Sequence, residues 1–433
     1  MKTQTKQFAV LFSFAFAVFV LTNQTQADDW LQWRGPNHNS VSTETGLLKK
    51  WPAEGPPQLW ANEDCGIGYG GFSIKGNRLF TIGANDGVDF ALCLNTEDGS
   101  QIWRTPFIGG DSTLSDRGKG WGDGPRSTPS VDGDFVFLMG VGGELWCVKA
   151  EDGAKVWSVN MADFGGSTPG WGYSESPLVD EDKVICTPGG PDGTLVALDK
   201  RTGKKIWQSA PVTKTLSDGS ETNPAKAHYS SIIPIDSNNQ RQYVQLLVHA
   251  VVSVNADSGE TVWQINWSGN TAVIPTPIFN NDEVYVTSGY KVGSKLIKIG
   301  ENNEATELWH TKAMSNHHGG VIQIGDYFYG SNEQVFVCQS RTDGKAVWQT
   351  RKLRKGALTY ADGLFYHLGE RSGKVTLFHA DENGISMKGR FTMEPKSKID
   401  KRKGKIWVHP VIANGRLYLR DQNVIVSYDV KSK

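Results

Sequence analysis

The segment Val196-Ala-Leu-Asp-Lys-Arg-Thr-Gly-Lys-Lys-Ile-Trp207 decides the fold, because the chain repeats its pattern many times. Alone it predicts a β-hairpin with a short apolar strand, a turn, and a second strand that carries a tryptophan. Asp199 and Thr202 can accept hydrogen bonds from the turn's backbone, and Gly203 can adopt a positive φ. The repetition of this hairpin therefore says more about the fold than the hairpin itself.

A four-stranded unit built around this hairpin recurs along the chain. The units begin near Ser73, Thr128, Ser176, Ser231, Thr276, Gly320 and Leu358, and they end at Trp103, Trp157, Trp207, Trp263, Trp309, Trp348 and Phe391. An eighth unit, 408–428, has only three strands. The segment 57–61 can supply the missing strand, since Trp60 occupies the repeat's tryptophan position.

An incomplete last unit that is completed by an N-terminal strand closes a ring and leaves no open sheet edge. The sequence therefore predicts an all-β fold, an eight-bladed β-propeller of four-stranded blades closed by residues 57–61. The alternative is a linear solenoid, which would need caps at its ends rather than a split unit. We interpret the repeated tryptophans as structural, because each can bury a large ring between neighbouring blades.

The N-terminus is typical of a secretory signal peptide. Lys2 and Lys6 precede an apolar run, 8–21, and a polar stretch then ends in Ala27. This pattern predicts cleavage after Ala27. The alternative is an uncleaved membrane anchor, but the apolar run is shorter than the roughly 20 residues that a spanning helix needs.

The sequence thus predicts a signal peptide at 1–27, an N-terminal extension at 28–56 and a single propeller domain at 57–433. We expect an exported, soluble protein, periplasmic or extracellular, with no transmembrane segment after cleavage. No cysteine lies near the predicted cut, so we do not expect a lipoprotein. The charge is balanced, with 45 Lys+Arg against 46 Asp+Glu, which argues against a nucleic-acid partner. The sequence does not show whether 28–56 covers the outside of the ring or plugs one face.

Five cysteines in an exported chain are an odd number and do not indicate a disulfide framework. Cys93, Cys147 and Cys338 share one position of the repeat, and equivalent positions on separate blades lie too far apart for a disulfide. We therefore expect them to be buried, small apolar fillers.

The pattern Ala197-x-Asp199-x-x-Thr202-Gly203-x-x-x-Trp207 resembles the tryptophan-docking motif of the pyrroloquinoline-quinone (PQQ) propeller repeat. Over about residues 57–430 the chain is similar to exported PQQ-like β-propeller proteins. That superfamily includes quinoprotein alcohol dehydrogenases and the propeller lipoprotein of the outer-membrane β-barrel assembly machine. The resemblance implies the fold and only weakly an activity, because this fold carries unrelated functions.

The resemblance also implies a test for quinone chemistry. Quinoprotein dehydrogenases cover the quinone with a disulfide between adjacent cysteines and hold calcium beside a catalytic aspartate. This chain has no adjacent cysteines, and no calcium-ligand motif or catalytic aspartate carries over. We therefore expect no classical PQQ–calcium chemistry and predict no metal, while a divergent mode of PQQ binding stays open.

Three predicted links between outer and inner strands are long: 105–127, 158–175 and 209–230. We expect them on one face, partly covering the channel mouth, where function concentrates. Polar and aromatic residues stand where the chain enters the inner strands, and two more follow the second strand of the last blade. These candidates are Tyr69, Arg126, Trp171, Tyr173, Glu175, His228, Tyr229, His317, His318, Tyr360, Trp407, His409, Arg420 and Asp421. They predict a small-molecule pocket; the alternative is a water-filled channel with mutually bonded side chains.

If a reaction occurs, His318, Glu175, Tyr173 and Arg126 are the catalytic candidates. His318 with a second histidine and Glu175 could hold a metal, but no ligand spacing enforces such a site. Arg126 and Glu175 could instead form a structural ion pair, and Arg420-Asp421 could be an ordinary charged turn.

The sequence leaves the enzymatic question open and favours a binding protein. We expect the channel mouth to bind a small molecule, a glycan or an envelope protein. The alternatives are a divergent quinoprotein alcohol or sugar dehydrogenase, a polysaccharide-processing enzyme, and an envelope assembly scaffold. The missing lipid-anchor cysteine argues against the scaffold.

Overall fold

The computed structural model describes residues 29–107 and 120–432. The predicted signal peptide and part of the first long link lie outside these ranges. The described chain forms eight β-sheets in a ring, which confirms the eight-bladed propeller and excludes the solenoid. Within the described ranges, no helix is long and apolar enough to cross a membrane.

Each blade is an antiparallel meander whose first strand lines the channel and whose fourth lies outermost. Two strands precede the first blade: β1 (Val41–Ser42) and β2 (Gln58–Asn62). The first four blades comprise β3 (Ser73–Lys75), β4 (Arg78–Asn85), β5 (Val88–Asn95) and β6 (Gln101–Pro106); β7 (Ser130–Asp132), β8 (Phe135–Met139), β9 (Glu144–Lys149) and β10 (Lys155–Asn160); β11 (Leu178–Asp180), β12 (Lys183–Cys186), β13 (Val196–Asp199) and β14 (Lys205–Gln208); and β15 (Ile233–Ser237), β16 (Gln240–Leu246), β17 (Ala250–Asn255) and β18 (Thr261–Asn266).

The other blades comprise β19 (Ile278–Asn280), β20 (Glu283–Ser288), β21 (Gly293–Ile299) and β22 (Ala305–Thr311); β23 (Val321–Ile324), β24 (Tyr327–Ser331), β25 (Phe336–Ser340) and β26 (Ala346–Thr350); β27 (Gly356–Ala361), β28 (Leu364–Gly369), β29 (Lys374–Asp381) and β30 (Gly384–Thr392); and β31 (Val411–Ala413), β32 (Arg416–Asp421) and β33 (Val424–Asp429). One short 3₁₀ helix, Met161–Phe164, follows β10.

The ring closes as the split unit predicts. Strand β2 pairs antiparallel with β33, with Trp60 opposite Ser427, and thereby completes the last blade. The edge that β33 would otherwise expose is covered, so every blade has four antiparallel strands, and β1 adds a fifth, parallel strand to the sheet of the seventh blade.

The repeated motif fastens each blade to the next. Trp207 Nε1 donates to the carbonyl of Ala256 in the following blade, at 3.0 Å. On the opposite side of the blade, Gly203 lies against the tryptophan of the preceding blade: a Cβ added to Gly203 would lie 2.8 Å from the Trp157 ring. Gly203 also has a φ of +70°, so the motif needs glycine for both the turn and the close approach.

The same contact recurs at the closure with different residues. Phe391, near the end of β30, takes the place of tryptophan, and a Cβ on Gly55 would lie 2.6 Å from its ring. Gly55 precedes β2 as Gly203 precedes β14. The N-terminal segment therefore supplies both the missing strand and the glycine on which the seventh blade docks.

Residues 30–42 run inside the central channel. Trp30 pairs with Ile74 of β3, the Leu31 carbonyl accepts from Val131 of β7, and β1 pairs parallel with β27. Farther along, Leu47 and Trp51 pack in the core between the last two blades. The extension thus both fills the channel and covers part of the ring's flank.

All five cysteines are buried and free. Cys93, Cys147 and Cys338 lie in the third strands of three different blades. Burial raises the pKa of these thiols, that of Cys93 to about 12. They are core fillers, as the repeat predicts.

Candidate functional site

A cavity of about 150 Å³ lies at the channel mouth, on the face that carries the links between blades. Its floor is Trp33 and Arg34 of the channel-filling segment. Trp121, on the link after β6, lines its rim and is 38% exposed. The cavity therefore reaches solvent on the face where the sequence predicts the long links. The link 393–410, whose length the sequence reading did not single out, contributes Trp407 and His409.

Eight of the fourteen predicted residues line this cavity. They are Tyr69, Arg126, Trp171, Tyr229, His317, His318, Trp407 and His409. They come from six different links between blades, so residues far apart in sequence meet because every link ends at the same mouth.

Among the other candidates, Tyr173 and Glu175 lie outside the cavity lining, at the interface between blades. The Tyr173 hydroxyl donates to the Pro188 carbonyl at 3.3 Å. Glu175 accepts from the backbone N–H of Thr187 and, at 3.1 Å, from Gln245 Nε2. Burial raises the pKa of Glu175 to about 7. Glu175 and Arg126 have separate partners in the structure, rather than the ion pair considered as an alternative.

Arg420 and Asp421 also lie outside the cavity lining. Arg420 is fully buried and donates to several backbone carbonyls, among them that of Gly70 at 2.9 Å. Asp421 pairs with Lys401 at 3.0 Å and accepts from the backbone N–H of Ser397. These contacts fasten the first and last blades and the 393–410 link.

His228 and Tyr360 are the remaining candidates outside the lining. His228 Nδ1 accepts from the backbone N–H of Val273, and its ring contacts Tyr229, which lines the cavity. Tyr360 lies near the far end of β27 and packs edge-on against Phe365 at 4.8 Å.

The lining also contains several residues that the sequence does not predict. They are Trp33, Arg34, Trp121 and Tyr290, with the hydroxyls of Ser174, Ser176, Ser231 and Thr276. The signal for Trp121 was its place in a predicted long link. Trp33 and Arg34 gave no positional signal, because the repeat does not extend into residues 28–56.

Arg126 lies at the centre of an aromatic wall. Its guanidinium is 4.9 Å from the ring of Tyr69, which packs on Trp407 at 4.9 Å. Nε and Nη2 of Arg126 donate to the carbonyls of Trp171 and Gly122, both at 2.8 Å, so the side chain ties two long links together. Nη1 is buried and has no hydrogen-bond partner among the described residues.

Three imidazoles complete the wall. His318 stacks on Trp407 with centroids 4.3 Å apart. Burial, reinforced by nearby cations, lowers the pKa of His317 to about 3 and of His409 to about 4, and it holds that of His318 well below 6.5. All three rings are therefore neutral at pH 7. Each has a buried ring nitrogen without a partner among the described residues.

The lining does not fit the calcium-held quinone of the classical dehydrogenases. Calcium takes oxygen ligands, mainly carboxylates, and no carboxylate lines the cavity within the described chain. In the same ranges, no group of three or more His, Cys, Asp or Glu side chains is placed to hold a metal ion. The donors present are imidazoles, guanidinia and hydroxyls, which suit an organic ligand better.

Comparison with known proteins connects the chain to one family. The family model described as "Outer membrane protein assembly factor BamB" matches residues 92–350. BamB of Burkholderia pseudomallei (strain K96243) is 23% identical over 356 residues, which span 70% of this chain and 84% of that protein.

Two solved structures share the fold. BamB from Moraxella catarrhalis superposes with a TM-score of 0.59 at 17% identity and covers 87% of this chain and 98% of its own. The quinohemoprotein alcohol dehydrogenase from Comamonas testosteroni superposes with a TM-score of 0.64 at 11% identity and covers 94% and 81%. Both likenesses concern the fold alone.

Proposed function

The chain belongs to the family of the outer membrane protein assembly factor BamB, and we propose that it is an exported protein that binds a small molecule at the channel mouth. The observation that carries this proposal is the set of unpartnered polar atoms in the cavity wall. Arg126 Nη1, His317 Nε2, His318 Nδ1 and His409 Nδ1 are all buried without a partner among the described residues. Such groups are costly in a folded protein unless a ligand or water satisfies them.

The blade interfaces provide the contrast that supports a ligand rather than loose packing. There, Glu175 and Arg420 find several hydrogen-bond partners each. Four of the unpartnered buried nitrogens of the described residues belong to side chains that line this one cavity, whereas the others, such as Trp51 Nε1 and Trp267 Nε1, lie elsewhere. Aromatic walls with a few placed polar groups are typical of small-molecule sites.

The test is a ligand screen with a matched histidine control. A mixed set of sugars, sugar acids, amino sugars and aromatic acids is screened by thermal shift, and hits are titrated. His318→Ala should weaken hits about tenfold or more, since it removes a ring that stacks on the cavity wall. His379→Ala alters a half-exposed histidine in β29, outside the cavity lining, and should change nothing.

Two results would contradict the proposal. One is a screen in which no compound binds. The other is a set of hits that bind His318→Ala as tightly as the wild type, which would place any binding elsewhere.

Family membership favours a second candidate, an envelope assembly scaffold. A scaffold would hold its protein partners through surfaces outside the cavity. Cross-linking in envelope preparations, followed by identification of the partners, tests this role. Partners retained by both His318→Ala and the wild type would support a scaffold, whereas partners lost only with His318→Ala would support the cavity.

A further inference from the structure

We propose that the ligand at the channel mouth is a sugar acid, a single six-membered ring that carries hydroxyl groups and one carboxylate. This inference rests on the proposed function and specifies its ligand. It follows from the charge of the cavity, the hydrogen-bonding roles of its imidazoles, and its size.

The charge of the lining favours an anion. Arg34 and Arg126 line the cavity, and no carboxylate does so within the described residues. Arg34 is already engaged: its three guanidinium nitrogens donate to Ser40 and to backbone carbonyls. Nη1 of Arg126 has no such partner. A carboxylate is the group that a guanidinium binds most strongly.

The tautomer of His317 follows from its neighbour. Lys355 Nζ lies 2.6 Å from His317 Nδ1. An ammonium group can only donate, so Nδ1 accepts and the proton of the neutral ring sits on Nε2. Nε2–H is thus a buried donor without a partner among the described residues.

His409 has the opposite role. Its Nε2 lies 2.8 Å from the carbonyl of His318. A carbonyl only accepts, so Nε2 carries the proton and Nδ1 is left as an acceptor. The wall therefore offers a donor at His317 and an acceptor at His409, and hydroxyl groups can satisfy both because they donate and accept.

The cavity's size and walls set the shape of the ligand. A volume of about 150 Å³ has room for one six-membered ring, and the ring's substituents can extend into the open mouth beside Trp121. Tyr69 and Trp407 present aromatic surface to it, against which the C–H face of a sugar ring can pack. The exposed Trp121 marks the rim, so a glycan chain attached to the bound unit could leave there.

Calorimetric titration with glucuronate and galacturonate, against glucose, galactose and glucosamine, tests the inference. We expect the uronates to bind about tenfold or more tightly than their neutral parents, because only they offer a carboxylate to Arg126. Arg126→Gln should abolish this preference. The control is Arg104→Gln, which changes an arginine paired with Asp64 outside the cavity lining and should leave the preference intact.

A uronate ring can be the end of a glycan or a free sugar acid, and titration with trigalacturonate distinguishes these two sources. Tighter binding than the monomer identifies a glycan end, and equal or weaker binding identifies a free sugar acid. Either result supports the inference if it depends on Arg126.

Equal affinity for uronates and neutral sugars, preference for glucosamine, or no uronate binding would overturn the inference. The proposed function would survive these results if another compound in the screen bound in a His318-dependent manner. Circular dichroism melting of Arg126→Gln shows whether a loss of binding reflects unfolding instead, and Arg126→Lys, which keeps the charge, should retain part of the uronate preference.

Discussion

The tryptophans that dock the blades and those that line the channel mouth have different surroundings. At the blade interfaces, Trp207 is buried, donates to a carbonyl of the next blade, and has the glycine of that blade against its ring. At the channel mouth, Trp407 donates to Glu370 at 3.1 Å, but its ring faces a cavity and stacks on a histidine with an unpartnered nitrogen. The residue type is the same, but the Trp207 ring packs wholly within the protein, whereas the Trp407 ring lines a cavity beside an unpartnered histidine nitrogen.

Of the substitutions that test this comparison, Trp207→Ala should change the stability of the protein most. Removing a buried tryptophan ring should lower the free energy of unfolding by about 3–5 kcal/mol, measured by denaturant titration. Trp121→Ala, at the exposed cavity rim, should cost less than about 1 kcal/mol. If the two variants were equally destabilised, the separation between docking and cavity tryptophans would be wrong.

Gly203→Ala should have the next largest effect. The substitution forces alanine into a positive φ and places its Cβ 2.8 Å from the ring of Trp157. We expect a loss of about 2 kcal/mol or more, since the strain alone costs about 1 kcal/mol. Gly133→Ala is the control, because Gly133 also has a positive φ but nothing within 4 Å of the added Cβ. Similar losses would mean that the glycine serves the turn and not the docking.

The smallest effect should be a change in how the free energy of unfolding depends on pH, caused by a histidine at the cavity. His409 has a pKa of about 4 in the folded protein and 6.5 as its ordinary value. The unfolded chain therefore binds this proton first, and stability present above pH 6.5 is lost as the pH falls toward 4. The His409 contribution to the slope approaches about 1.4 kcal/mol per pH unit within this window.

His409→Gln should reduce that slope between pH 6.5 and 4 when unfolding is measured at several pH values. Its amide can still donate to the carbonyl of His318, so the local hydrogen bond is kept. An unchanged slope would show that this ring is not held neutral by burial. The raised pKa of Glu175, about 7, acts in the opposite direction between pH 7 and its ordinary value of 4.5, and both proteins share it.

The fold could be predicted because its information is local and repeated. Gly203 and Trp207 are four residues apart, and each copy of their pattern reports the same turn and the same docking contact. Even the closure could be predicted, because Trp60 keeps the repeat's position. The path of residues 30–42 could not, since an irregular segment that contacts many blades leaves no period in the sequence.

The candidate site could be predicted only in part, for a related reason. Entry into an inner strand brings a residue to the channel mouth but does not fix where its side chain points. Tyr229 and Ser174, each two residues before the start of its unit, both line the cavity, whereas Glu175, one residue before the start, faces Thr187 and Gln245 at a blade interface. This offset of one residue decides which side chain reaches the cavity, and the exact start of a short strand is the part of a fold that a sequence predicts least precisely.

The pairing of β2 with β33 has a consequence for the synthesis of the protein. Gln58 pairs with Tyr428, so one of the first strands to leave the ribosome meets its partner among the last. Residues 30–42 likewise contact inner strands as late in the chain as β31, through Ser42 and Ile412. Contacts of such sequence separation form slowly. The ring and its filled channel therefore reach their final form only after the whole chain is available, and until then β2 stays an unpaired apolar strand.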